Sequence, residues 1–207
     1  MSNMSNMSAT STRTITIPFL GARAYIHAST LFEAATAGLP GLAWFSFKLQ
    51  KPILTNRLRI DDAPAGAAQT TDDTVATLEW RGAEGEGFMN IRALDPVQPL
   101  ERIEDTEATA MAAIAETPGE AAFTGAWPFP AIRMTDSLFR RICLQCKPLG
   151  EGEVWLLAAV TMDVPAPDTP LKVVRDALLP GGRLLRAKVL ANDVPCGQVF
   201  ASVGHIR

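Results

Sequence analysis

The chain is poor in the residues that most often announce chemistry, with two histidines, one tyrosine and three cysteines in 207 residues. Three cysteines cannot all pair, which points to a reducing compartment and not to a disulfide framework. No apolar run reaches the roughly 20 residues of a membrane span. Residues 1–13, rich in Ser, Asn and Met, lack the apolar core of a secretory signal. A soluble, cytoplasmic protein without a membrane partner is expected. An excess of one charge is missing too: 19 basic against 22 acidic side chains leave −3. That balance argues against a nucleic-acid partner. There is no Walker loop, dinucleotide fingerprint or G-x-S-x-G elbow. Cys143 and Cys146 form a CxxC spacing, but no second pair or nearby histidine completes a zinc site, and both read as helix-core cysteines. No metal and no cofactor is expected.

What is present is an ordinary globular composition, 47% hydrophobic and 20% charged, enough for one large domain or two small ones. The opening MSNMSNMS has nothing to bury, so residues 1–12 read as a disordered tail. A β-rich run follows at 12–19. Thr30 and Glu33 have the spacing of a capping box, and Gly38 with Pro40 supplies a stop. The helix between them is Ala-rich and almost uncharged, hence buried on most sides. Alternation then predicts strands at 42–51, 57–60, 74–81 and 88–94, the last two forming a hairpin. Residues 101–120 carry six acids and one base and read as a solvated linker helix. Beyond it the order repeats. A strand-like run at 122–130 leads to caps at Thr135 and Asp136 and a helix at 137–146. Strands are then expected at 154–164, 171–179, 183–192 and 198–204. The two helix entries overlay through Leu31-Phe32 and Leu138-Phe139, 107 residues apart. This gives a first unit at 13–98, a linker at 99–120 and a second unit at 121–207.

A strand, a buried helix and an antiparallel sheet wrapped around it is the hotdog layout. The run WFSFKLQKPILTNRL (44–58) resembles the strand–Pro–strand passage of hotdog thioesterases and acyl-carrier dehydratases, and the stretch LLPGGRLLRAKVLANDVPCGQVFASVG (178–204) resembles the closing hairpin of that superfamily. The resemblance implies an α+β tandem double hotdog. In that arrangement the open edge of each sheet is closed by the other copy. It further implies an acyl-CoA or acyl-carrier-protein thioester as ligand, in a monomeric double unit or a homodimer. Thioester hydrolysis or acyl transfer is the first activity implied, with 3-hydroxyacyl dehydration behind it. A non-catalytic ligand-binding module and a biosynthetic acyltransferase/decarboxylase are the alternatives.

The candidate residues cluster at the two helix starts. His27 precedes the first helix, where backbone N–H groups favour developing negative charge, and an imidazole there can move a proton near neutral pH. The same residue can simply pack at a helix start. Tyr25, two residues earlier, can donate to a carbonyl or fill a core. Glu33 is either a helix carboxylate of the thioesterase kind or the capping-box partner. Asp136 is either a general base facing His27 or a plain N-cap. Hotdog dehydratases pair a histidine with an acid from different units, although their loop of His, Phe, Pro and Gly is absent here. Ser29 and Thr30 at the helix start, with Arg133 and Arg140, are the expected substrate-binding residues, the arginines either meeting the phosphates of CoA or a carrier protein or lying on a plain solvated face.

Overall fold

The computed structural model describes residues 11–66, 70–104, 112–146, 149–179 and 181–205. The first half carries β1 (Ser11–Thr16), α1 (Ala28–Thr36), β2 (Leu42–Leu49), β3 (Arg57–Ala63), β4 (Thr74–Gly82) and β5 (Gly85–Leu94). The second carries β6 (Ala115–Thr117), β7 (Glu120–Phe123), α2 (Ala131–Leu144), β8 (Glu153–Asp163), β9 (Leu171–Leu178), β10 (Leu184–Ala191) and β11 (Val194–His205). All eleven strands join one sheet in the order β1-β3-β5-β4-β2-β8-β11-β10-β9-β7-β6. Every neighbouring pair is antiparallel.

Alternation places Phe45, Phe47, Leu78, Met89, Ile91, Val160 and Met162 in the core, where both helices pack. Phe32 anchors α1, its ring 4.4 Å from that of Phe45 and edge-on to Phe47 at 5.8 Å. Leu31, Phe32, Leu138 and Phe139 are all buried. At the middle of the sheet β2 pairs with β8. The hydroxyls of Ser46 and Thr161 bond across that seam at 2.9 Å. Among the described residues no helix is long and apolar enough to cross a membrane.

Several expectations change. The tail reading falls mostly on residues 1–10, outside the described residues, but Ser11 and Thr12 already pair with β3. The linker helix expected over 101–120 falls in part on residues 105–111, also outside them. Its described flanks are not helical, since Ile103 bridges to Leu20 and residues 115–117 pair with β7. The strand expected at 122–130 is shorter and earlier, at Glu120–Phe123. The second helix starts at Ala131, six residues before the expected start, so Thr135 and Asp136 lie inside it and cap nothing. The capping box at Thr30 and Glu33 does not form, because α1 starts at Ala28 and Glu33 bonds Arg133 instead.

The two halves also differ in layout. Outward from the seam, the second half runs β8, β11, β10, β9, β7 and the first runs β2, β4, β5, β3, β1. In the second half β9 turns directly into β10. In the first, β3 and β4 do not pair, because β5 lies between them and pairs with both. The structure is a single continuous antiparallel sheet, and the shared layout expected of the two tandem units does not hold for the order of β4 and β5.

Candidate active site

The start of α1 is held from both sides. Ile26 N–H donates to the Ile53 carbonyl at 2.9 Å, tying the lead-in to the stretch after β2, and Leu31 N–H donates to the His27 carbonyl at 3.0 Å. His27 is therefore the N-cap residue, with extended φ and ψ of −70° and 139°, yet it makes no side-chain capping bond. Its ring turns toward α2. Nδ1 lies 2.9 Å from Ser29 Oγ and 3.4 Å from Asp136 Oδ2. The side chains of His27 and Asp136 are only 13% and 9% exposed.

Around this pair is a narrow slot with room for about 40 Å³, the space of one or two waters. Tyr25, Ile26, His27 and Ala28 form one wall, and Leu49 with Pro52 continues it. Asp136, Phe139, Arg140 and Cys143 form the α2 wall, and Trp155, Leu156, Leu157 and Ala201 close it from the sheet. The four α2 residues stand at i, i+3, i+4 and i+7, one face of a helix. Burial, with Cys146 and Asp136 nearby, pushes the Cys143 thiol far above the ordinary thiol range. It is a neutral wall residue and not a nucleophile.

Four of the eight expected site residues thus meet in the slot: Tyr25, His27, Asp136 and Arg140. Ser29 does not line it. This residue is fully buried behind His27, its hydroxyl on the imidazole. Glu33 and Arg133 pair with each other between the helices at 2.6 Å, and Arg133 also lies 4.9 Å from the Phe129 ring centroid. Burial raises the Glu33 carboxyl above its usual range despite the downward pull of Arg133. Thr30 Oγ1 is buried with no hydrogen-bond partner among the described residues. Sequence reasoning missed the apolar walls. The i, i+3, i+4, i+7 spacing from Asp136 is the signal that would have found Phe139 and Cys143.

Serine, histidine and aspartate meeting in one place invites comparison with a nucleophilic triad. Here both partners approach the same ring nitrogen, whereas a triad uses one on each. With Ser29 fully buried as well, the arrangement is a His–Asp pair steadied by a hydroxyl. Among the described residues His27 Nε2 has no hydrogen-bond partner, so it is the nitrogen left to meet a ligand.

No protein-family model matches the chain, and no curated protein matches it. Solved structures do. A Thermobifida fusca YX protein, provisionally assigned as a thioesterase II, is similar at a TM-score of 0.51 with 12% identity, over 94% of this chain and 92% of that one. An acyl-ACP thioesterase from Bacteroides thetaiotaomicron VPI-5482 aligns at 0.47 with 10% identity, covering 94% and 98% of the two chains. The dehydratase domain from the CurJ module of the curacin polyketide synthase aligns at 0.47 with 9% identity, covering 95% and 92%. The last two overlaps are too loose to add anything. The first shows the fold: the chain is hotdog-like.

Proposed function

We propose that the protein processes an acyl thioester, carried by CoA or a carrier protein, and that its reaction is hydrolysis. The observation that carries this reading is the His27–Asp136 pair in a slot of water size, with Nδ1 engaged and Nε2 open. Nε2 takes a proton from a water as its oxygen attacks the thioester carbonyl carbon. The oxyanion forms beside the first-turn N–H groups of α1, which no side chain caps. Asp136 steadies the imidazolium. The C–S bond then breaks, and the proton on His27 passes to the departing thiolate. Tyr25 donates toward the carbonyl, and Arg140 meets an anionic or carbonyl group further along. The reading of the chain as two fused hotdog units is supported by the described elements of each half, a helix with several antiparallel strands, and by the β2–β8 pairing that joins them.

Release of free thiol from a panel of acyl-CoAs and acyl-carrier proteins tests the proposal. Wild-type protein releases thiol and His27→Ala does not; full turnover by His27→Ala removes the assignment. Dehydration is the second reading, favoured because the histidine and the acid come from opposite halves of the chain. It would yield a 2-enoyl thioester from a 3-hydroxyacyl substrate with no thiol released. Binding without either product would leave a ligand-binding module.

A further inference from the structure

Two acceptors compete for one nitrogen at the site, and the nearer one is not the charged one. Ser29 Oγ is 2.9 Å from His27 Nδ1, an ordinary hydrogen bond, while Asp136 Oδ2 at 3.4 Å is at ion-pair range only. An ionised carboxylate is acceptor-only. If Ser29 donated to a bare Nδ1, that lone pair would face the Asp136 carboxylate, an unfavourable pairing. The proton therefore belongs on Nδ1, with Ser29 Oγ taking the better-placed share of it.

We infer that Ser29 is a positioning residue: its hydroxyl, more than the Asp136 carboxylate, fixes the ring angle and the tautomer of His27. Ser29 can do this because nothing lets it move. It is fully buried and sits in the first turn of α1, two residues after His27, where the Leu31-to-His27 backbone bond has closed the helix. In holding the ring, the hydroxyl also keeps the carboxylate from closing into a tight ion pair. Asp136 is thereby left at the slot wall, able to answer charge that appears on the ring only during reaction. The role rests on the reading of His27 as the base, but its test does not need turnover.

With only two histidines in the chain, ¹⁵N-imidazole NMR resolves each ring, and a His205→Asn protein assigns them. The expected wild-type result, for the neutral ring, is the His27 tautomer with its proton on Nδ1 and Nε2 bare. In Ser29→Ala the proton passes wholly to Asp136, so the Nδ1–H resonance moves downfield, and adding Asp136→Asn reverses the move. The His205 signals and amide spectrum report that the variants remain folded. A wild-type His27 protonated at Nε2, or an Nδ1–H resonance unmoved in folded Ser29→Ala, overturns the inference. Where thioester turnover is measurable, Ser29→Ala lowers kcat about 10–100-fold at unchanged KM.

Discussion

The two helix starts occupy comparable places and hold very different chemistry. The chain enters α1 through Tyr25, Ile26 and His27, and that start faces the stretch after β2 and the beginning of β8. It enters α2 through Trp127, Phe129 and Pro130, beside the stretch after β8 and the beginning of β2. Around the first the space is about 40 Å³, and around the second about 420 Å³. The first holds an imidazole and a carboxylate. The second is walled by Trp127, Phe129 and several prolines, with Pro130 as its N-cap residue. Between them, Glu33 and Arg133 neutralise one another. The shared frame offers a helix end and a cleft, and a few side chains decide whether protons can move there.

Four measurements sharpen or break that contrast. The largest effect is expected for His27→Ala, a loss of about 10²–10⁴ in turnover with the fold retained. Met134 is the residue that the 107-residue offset places opposite His27, and it is buried. Met134→Ala should cost about 2–5 kcal/mol of stability, read by urea unfolding, with turnover per folded molecule unchanged. Should Met134→Ala silence turnover while His27→Ala spares it, the contrast is reversed. A smaller effect concerns Glu33. Burial raises its carboxyl above 4.5, so over that window the native state holds the proton longer than the unfolded chain. Stability should fall as pH rises through the window, and Glu33→Gln should flatten that fall in the urea midpoint. Smallest is the response of Cys143, whose buried thiol should react with a thiol reagent only as fast as the protein opens.

Much of the fold was legible because alternation is a strong local signal. The strands at β2, β4, β5, β8, β9 and β10 fall close to where the pattern places them. The order of β4 and β5 was not legible, because no local feature says which member of a hairpin lies beside β2. At α1 the stop at Gly38 and Pro40 held and His27 does precede the helix, but the capping box did not form. The spacing of Thr30 and Glu33 suggests a cap, yet Arg133, 100 residues away, took the carboxylate. At α2 a better reading was available: Pro130 just before Ala-Ile-Arg is a helix-start signal. Used in place of Thr135 and Asp136, it would have put Asp136 on an inward face. The pairing of His27 with Asp136 was named among the candidates, beside Glu33, from the matched helix starts and the resemblance to hotdog dehydratases. The part played by Ser29 was hidden, since a distance of 2.9 Å to a ring nitrogen leaves no trace in the letters.

The β2–β8 seam has a mechanical corollary. Where these strands meet, the Ser46 and Thr161 hydroxyls and a run of paired backbone stitch the molecule mid-ribbon, so neither half owns a border there. A cut inside residues 105–111 should leave both fragments clasped and the sheet whole. Producing either fragment by itself would bare a ribbon margin of five residues, Trp44–Lys48 or Ala159–Asp163, which would seek a twin or precipitate.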